Sequence, residues 1–361
     1  MKITARALER MCSGLAAGIT LACLTSTAFA QFSFSLSYDP AIDPRALAGF
    51  QAAASRWASV LEDPINVSLS IGFTALGPGI IGSTGAAGGT VSYSSYKSAL
   101  TLDRTSANDF TAVSSLSVGP SFNLLLNRTS NSPFGSGSAT PYLDNDGDAN
   151  NRTIRINLAN ARALGLYQPS GGLTDGSITF SSAFAFDFDP SDGISPGMID
   201  FVGVATHEIG HALGFVSGVD TLDTRTTPPS DETLTFVRPL DLFRYSAESR
   251  ALGNGVIDWT ADTRNKYFSI DGGDTSLALF STGTVFGDGR QASHWKDNLG
   301  IGIMDPTAGR GERLSISALD LEALDVIGYN LVPVPEPATL GLMGVGVLGL
   351  AIAYRQRGRR K

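Results

Sequence analysis

Cysteine is nearly absent from this sequence. The 361 residues contain two, Cys12 and Cys23, and both lie within the first 30 residues. Those 30 residues have the pattern of a secretory signal, which is removed on export. The mature chain would then have no cysteine. This excludes disulfide bonds, thiolate metal ligands and a cysteine that blocks a metal site until activation.

Histidine and positive charge are also scarce. The whole chain has three histidines and a formal net charge of −8. The predicted signal holds three of the 26 basic residues and one of the 34 acidic ones, and the C-terminal tail holds five further cations. The part between them therefore has a net charge of about −15. Such an acidic surface argues against nucleic acid as a partner, since phosphate binding relies on Lys and Arg.

The N-terminus has the three parts of a secretory signal. Basic residues at the start precede an apolar stretch over 15–24 and an A-x-A cleavage pattern at 28–30. We therefore predict a signal peptide over 1–30. Lipid attachment at Cys23 is an alternative, but Thr20 stands where such sites usually have leucine.

The C-terminus, 331–361, also has the features of a targeting segment. The motif PEP at 335–337 precedes an apolar run over 338–354 and then five Arg and Lys residues. This run is near the minimum length for a membrane span, and the cations favour the cytoplasmic side. The tail resembles the PEP-CTERM sorting segment of Gram-negative bacteria. The resemblance implies export across the inner membrane and a membrane-bound sorting protease as partner. The protein would end at the cell surface, in the extracellular matrix or transiently anchored in the membrane.

Residues 31–330 lie between these ends and are enough for one large domain or two lobes. Alternating apolar residues predict strands over 32–38 and 65–73, and Asp43-Pro44 predicts the start of a helix that runs to about residue 61. Strand, helix and strand in this order are typical of the opening of an α/β sheet.

The rest of this part is less regular. The Gly-, Ser- and Thr-rich stretch over 77–142 has no firm periodicity, so that short strands and a long surface excursion both fit it. Further strands are predicted over 153–157 and 177–189, and further helices over 198–215 and 315–327.

The motif HEIGH at 207–211 lies on one of these helices. Residues four apart share a helix face, so His207 and His211 can bind one ion while Glu208 lies beside it. A catalytic zinc ion takes three protein ligands and keeps one position for water. An adjacent carboxylate can accept the proton of that water, and Glu208 is our candidate for this role.

His294 is the candidate third ligand, because it is the remaining histidine of the chain. Ser217, which lies at the short spacing often used for a third histidine, is a poor zinc ligand. Asp220 is the alternative donor, although its spacing from the helix does not match the short motif.

Three segments together resemble the metzincin superfamily of zinc endopeptidases. They are HEIGHALGF at 207–215, SHW at 293–295 and GIMDP at 302–306. The distant third histidine followed by tryptophan is closest to the leishmanolysin-like branch, and 314–329 resembles the closing segment of the matrixins. The resemblance implies a role for each matching residue: zinc binding by His207, His211 and His294, proton transfer by Glu208, a chain turn at Gly214, a Met-turn at Met304 and support of that turn by Asp320.

The resemblance also implies an α+β fold in two lobes. The upper lobe, 31–215, would be α/β, with a twisted, mostly parallel sheet, long helices and the zinc-binding helix. The lower lobe, 216–330, would be rich in loops and end in a helix. A peptide substrate would lie between the lobes and pair with a sheet edge, for which 177–189 is the candidate.

Two weaker signals remain. Asp144, Asp146 and Asp148 alternate along the chain, which suits calcium binding but equally a solvated acidic turn, because the glycine and glutamate positions of an EF-hand are not matched. Tyr245 and Tyr329 are weak candidates to stabilise an oxyanion.

The predicted function is therefore that of an exported zinc endopeptidase acting on proteins or peptides, with Zn²⁺ as its cofactor and Ca²⁺ as a candidate second ion. The alternative is a surface or biofilm-matrix binding protein that keeps a metzincin fold but has little activity. Glu208 favours the enzyme, because a pure binding protein does not need a base beside the metal.

Overall fold

A computed structural model describes residues 31–168 and 173–333. The predicted signal peptide and the predicted membrane span lie outside these ranges. Within them, no helix has the length and apolar character needed to cross a membrane. The strands are β1 Ser33–Tyr38, β2 Asn66–Thr74, β3 Gly82–Ala86, β4 Gly88–Ser92, β5 Asn123–Leu126, β6 Tyr142–Asp144, β7 Thr153–Asn157, β8 Gly176–Ser181, β9 Phe186–Asp187, β10 Ile199–Asp200, β11 Arg244–Tyr245, β12 Val256–Asp258, β13 Lys266–Phe268 and β14 Ala278–Phe280. The helices are α1 Pro44–Ala58, α2 Tyr93–Asp103, α3 Ala107–Ser115, α4 Leu158–Ala163, α5 Phe201–Leu213, α6 Val219–Asp223, α7 Ala247–Ala251 and α8 Ala318–Asp325.

The largest sheet has four strands in the order β1-β2-β8-β3. β1 and β2 are parallel, as are β2 and β8, whereas β3 runs antiparallel to β8. In β2, Val67, Leu69 and Ile71 are buried, as the alternating pattern predicts. α1 connects β1 to β2 and begins where Asp43 caps it by accepting a hydrogen bond from the backbone NH of Arg45 at 2.8 Å.

The helix that carries the HEIGH motif, α5, packs against α1 next to this sheet. The indole NH of Trp57 in α1 donates a 2.8 Å hydrogen bond to the carbonyl of Thr206 in α5. Phe50 of α1, Phe180 of β8 and Phe201 of α5 are all buried, with ring centres 5.0–5.2 Å apart. Burial of three phenylalanine rings gives a favourable free energy of several kcal/mol, roughly 2–3 per ring. This apolar packing fixes α5 relative to the sheet.

Four smaller sheets surround this unit: β12-β5-β6, β11-β13-β14, β4-β7 and β9-β10. The mixed α+β class is therefore confirmed, and two of the three pairings in the main sheet are parallel. The division into an upper and a lower lobe at residue 215 stays a prediction. One strand pairing crosses that position, since β12 lies parallel to β5.

The stretch over 77–142 contains short strands and two helices rather than one surface excursion. The helices were missed, although both leave a signal in the sequence. Tyr93, Tyr96 and Leu100 of α2 are buried at helical spacing. α3 begins with a capping box, in which Ser106 and Asp109 bond reciprocally to each other's backbone NH.

The prediction that residues 177–189 form the sheet edge for a peptide substrate is wrong. Its first part forms β8, which is paired on both sides by β2 and β3. Its second part forms β9, which pairs with β10 in a separate sheet. The edge of the main sheet on this side is β3, whose glycine-rich sequence did not indicate a strand.

Candidate metal centre

Both ends of α5 are held by specific contacts. At the start, the carboxylate of Asp200 accepts a 2.8 Å hydrogen bond from the backbone NH of Gly203. At the end, Gly214 has φ of 127°, a conformation that side-chain-bearing residues rarely adopt, and the chain turns there. The side-chain amide of Asn157 donates a 2.9 Å hydrogen bond to the carbonyl of His211. The motif helix is thus fixed in length and position.

The three histidines of the protein converge on one point. The Nε2 atoms of His207 and His211 are 3.1 Å apart, those of His211 and His294 are 3.1 Å apart, and those of His294 and His207 are 3.3 Å apart. A tetrahedral zinc ion with bonds of about 2.0–2.1 Å separates its ligand nitrogens by ~3.3 Å. The spacing of the three rings therefore fits one zinc ion, and their side chains could hold a metal.

The opposite ring nitrogens show which tautomer each histidine adopts. Nδ1 of His207 lies 2.7 Å from the carbonyl of Ile303, and Nδ1 of His211 lies 2.7 Å from that of Phe215. Nδ1 of His294 lies 3.2 Å from the carbonyl of Gln291. A carbonyl can only accept, so each Nδ1 carries the proton and each Nε2 directs a lone pair at the common point.

Burial further favours the neutral form of two of these rings. Desolvation and, to a smaller extent, the charge of His207 lower the pKa of His211 to about 3. Desolvation also holds the pKa of His294 well below its ordinary value, and the neighbouring His211 and His207 add to this effect. Neutral imidazole is the form that binds metal.

The segment before His294 is anchored by Asp220, the residue considered above as an alternative ligand. Its carboxylate accepts hydrogen bonds from the backbone NH of Ala292 at 2.6 Å and of Ser293 at 3.2 Å, as well as from the Ser293 hydroxyl. The backbone NH of Ser217 in turn donates to the Ser293 hydroxyl at 2.8 Å. Asp220 is therefore not part of the converging group, and its hydrogen bonds instead position the segment that carries His294.

Met304 packs directly against α5. Its side chain is fully buried, and a Cβ placed on Gly210 would lie 2.5 Å from its sulfur atom. The glycine of the HEIGH motif thus allows this close approach, which any larger residue would prevent. The neighbouring Ile303 supplies the carbonyl that fixes His207. The turn at 303–304 therefore supports the centre by packing and by one hydrogen bond.

Asp320 at the start of α8 joins this turn to Trp295, the residue after the third histidine. Its carboxylate accepts hydrogen bonds from the backbone NH of Ile303 at 2.8 Å and of Met304 at 3.3 Å, and from the indole of Trp295 at 2.8 Å. It also caps α8 through the backbone NH of Ser317. One buried carboxylate thus accepts hydrogen bonds from three segments, and one of them is the turn that the resemblance implies it supports.

Glu208 lines the same cavity as the three histidines, and one of its two carboxylate oxygens is held by a hydrogen bond. Oε2 accepts a 2.6 Å hydrogen bond from the hydroxyl of Thr84 on the edge strand β3. The other oxygen, Oε1, has no hydrogen-bond donor among the described residues. A cavity of about 820 Å³ is lined by Glu208, the three histidines, the strand residues 82–84 and the segment 305–308. The free oxygen of Glu208 is therefore available to a group bound in this cavity.

The three aspartates of the acidic loop, Asp144, Asp146 and Asp148, do not converge on one point as the histidines do. Within residues 31–168 and 173–333, the three histidines are the one set of His, Cys, Asp and Glu side chains close enough to hold an ion. Asp144 is buried and accepts a 2.8 Å hydrogen bond from Asn150, and burial raises its pKa to about 6. Asp146 and Asp148 accept bonds from backbone NH groups of the loop itself. Calcium binding here stays a prediction without support from the geometry.

The two tyrosines considered as oxyanion donors, Tyr245 and Tyr329, donate hydrogen bonds to backbone carbonyls instead. Tyr245 donates to the carbonyl of Leu242 at 3.2 Å, and Tyr329 donates to that of Leu213 at 2.7 Å. Both are buried, and neither lines the cavity. Neither is a candidate for catalysis.

Comparison with known proteins identifies the C-terminal tail. The family model of the PEP-CTERM protein-sorting motif matches residues 333–360. The tail is a PEP-CTERM sorting segment. Proteins with this motif are exported and sorted to the cell surface, and the motif implies processing by an exosortase. No curated protein and no solved structure matches the chain. The metzincin fold is therefore not shown by comparison, and the metal centre must be interpreted from its own geometry.

Proposed function

We propose that this protein is an exported, metzincin-like zinc endopeptidase, in which His207, His211 and His294 hold the metal and Glu208 is the general base. The convergence of the three Nε2 atoms at 3.1–3.3 Å carries the proposal. The sorting segment supports its place outside the cell.

The residues of the chain divide the work of peptide hydrolysis. Bound zinc would polarise the scissile carbonyl and lower the pKa of the attacking water. Glu208 takes the proton of that water through Oε1, while the Thr84 hydroxyl keeps Oε2 in place. The same carboxylic acid then gives the proton to the leaving amine. Met304 and Asp320 keep the imidazoles in position and do not contact the substrate.

The edge strand β3 suits the binding of an extended peptide. It pairs with β8 on one side, and its residues 82–84 line the cavity beside Glu208. A peptide that added to this edge as a further strand would run past the general base and the metal ligands. Its backbone hydrogen bonds would be independent of sequence, so a range of proteins could serve as substrates.

Chelation tests the proposed activity. The mature protein should clear casein in a zymogram, lose this activity in 1,10-phenanthroline and regain it on addition of zinc. Cleavage that persists after complete removal of metal would contradict the proposal. A zinc-loaded protein that cleaves no protein or peptide would instead support the alternative of a surface binding protein.

Thr84→Val is expected to lower kcat by roughly 10- to 100-fold, because it removes a hydrogen bond to a charged carboxylate. Valine has nearly the shape of threonine, so the strand should be unchanged. Thr84→Ser keeps the hydroxyl and should retain most of the activity. The measurement is kcat on a fluorogenic peptide, with zinc content as a control. Equal activity of the Val and wild-type proteins would show that Thr84 does not position Glu208.

A further inference from the structure

Arg238 lines the cavity that contains the three histidines, and its guanidinium forms no ion pair within the described residues. It is the one Lys or Arg side chain among the cavity residues of the described chain. Its Nη1 donates a 3.1 Å hydrogen bond to the side-chain oxygen of Asn157, and the amide of Asn157 donates to the carbonyl of His211 at 2.9 Å. Two hydrogen bonds therefore connect the guanidinium to the metal helix. No Asp or Glu of the described ranges lies within ion-pair distance of it.

Two more arginines contact Phe236, which lies two residues before Arg238 in the sequence. Arg155 and Arg225 stack on the ring of Phe236, with distances of 5.3 and 5.5 Å to its centre. Neither forms a salt bridge in the part of the chain that the structure describes. Burial lowers the pKa of Arg238, and the charge of Arg155 is the next cause. The charge of Arg155 therefore adds to that of Arg238 in a protein whose net charge is −8.

The two carboxylates whose charges act on Arg238, those of Asp241 and Asp220, accept hydrogen bonds from other groups. Asp241 accepts hydrogen bonds from the backbone NH of Arg238 at 2.8 Å, and from Ser217, Gly218 and Trp259 in the core. Asp220 holds the segment before His294. Their charges partly offset that of Arg238, but neither forms an ion pair with it. A half-buried guanidinium that lines a cavity and forms no ion pair carries a desolvation cost, and a bound anion offsets part of that cost.

We infer that Arg238 binds a carboxylate of the substrate, so that the preferred peptides carry an Asp or Glu side chain, or a free C-terminal carboxylate, close to the scissile bond. The planar guanidinium can form two parallel hydrogen bonds with a carboxylate, which gives direction as well as attraction. The inference rests on the proposed peptidase function, because it names the substrate class of the same cavity.

The test uses a set of fluorogenic peptides that differ at one position by Glu, Gln or Lys, each with a free or an amidated C-terminus. Wild-type kcat/KM should be roughly 10- to 100-fold higher for Glu than for Gln, the range of a hydrogen bond between charged groups. If the rate depends instead on whether the peptide has a free C-terminus, the carboxylate that Arg238 binds is the C-terminal one of the substrate. Equal rates for all the peptides would overturn the inference and leave the peptidase proposal intact.

Variants then assign the preference to one residue. Arg238→Gln should lose the discrimination between Glu and Gln, and Arg238→Glu should turn it towards Lys. Arg225→Gln is the matched control, since it removes a positive charge from the same neighbourhood but not from the cavity lining, and it should change kcat/KM less than twofold. Zinc content and melting temperature establish that each variant is folded. If Arg238→Gln does not fold, Arg238→Lys keeps the charge without the planar fork and should reduce the preference.

A measurement of peptide binding tests this inference independently of the proposed peptidase activity. Calorimetry with the zinc-loaded Glu208→Gln protein measures the affinity for the Glu and Gln peptides without turnover. Tighter binding of the Glu peptide would support Arg238 as a carboxylate site even if the wild-type protein hydrolysed nothing. Equal affinities would overturn it.

Discussion

Glu208→Gln is expected to lower kcat by roughly 10²- to 10⁴-fold, the range of general acid–base catalysis. Glutamine has the same size and can still accept the hydrogen bond from Thr84, but it cannot take a proton from water. The three imidazoles do not depend on Glu208 for their hydrogen bonds, since their Nδ1 atoms contact backbone carbonyls. The variant should therefore bind zinc as the wild type does.

The measurement pairs turnover with metal content. Initial rates on a fluorogenic peptide and zinc per chain are determined on the same preparations. Full zinc with almost no turnover assigns the proton transfer to Glu208. A variant that cleaves casein as fast as the wild type would show that another group is the base.

His294→Ala is expected to lower zinc affinity by more than ~100-fold, because changes in groups that only support metal ligands already cost 10- to 100-fold. Two imidazoles from one helix would remain, and alanine leaves a gap where the third donor lay. Peptidase activity should disappear with the metal. Inductively coupled plasma mass spectrometry after dialysis against metal-free buffer gives the zinc content directly.

Asp220→Asn is the matched control, because Asp220 is the alternative third donor. It removes one charge near the site but none of the three imidazoles. Zinc binding should be weakened, since the hydrogen bonds of Asp220 to Ala292 and Ser293 orient the segment that carries His294. At saturating zinc the variant should still bind one ion per chain. Loss of zinc in Asp220→Asn together with its retention in His294→Ala would reverse the assigned roles.

The fold could be predicted where local sequence and tertiary packing agree. β1, α1 and β2 have alternating or helical apolar patterns, and Asp43-Pro44 marks the start of the helix within one residue. The strand at Thr153–Asn157 has the predicted bounds. In α1, β2 and Thr153–Asn157 one face is buried against the core, and in β1 Phe34 and Leu36 are partly buried, so the pattern of the sequence follows the pattern of burial.

The edge strand could not be predicted from its own residues. β3 has the sequence GSTGA, which has no large apolar side chain and is poor in strand formers. It forms a strand because β8 offers a row of backbone partners, and that interaction joins residues about a hundred positions apart. The prediction that 177–189 forms the sheet edge was wrong because strong strand character does not distinguish a central strand from an edge strand. The position of β8 in the sheet depends on β3, which the sequence did not reveal.

The candidate metal centre likewise contains some residues that the sequence predicts and others that it does not. His207, Glu208 and His211 follow from their spacing on one helix, and His294 follows from the small number of histidines. Thr84 and Arg238 have no local motif, and each reaches the cavity only through the tertiary fold. The supporting role of Asp220 was also not predictable, because an acidic residue near a metal motif looks the same in sequence whether it binds the metal or a neighbouring backbone.

X-ray absorption at the zinc edge of the metal-loaded protein tests the central claim most directly. The account predicts three imidazole nitrogens and one further light atom at about 2.0–2.1 Å, as in a tetrahedral catalytic site. It also predicts one zinc ion per chain. A spectrum with two or fewer imidazoles, or a protein that binds no zinc at all, would contradict it.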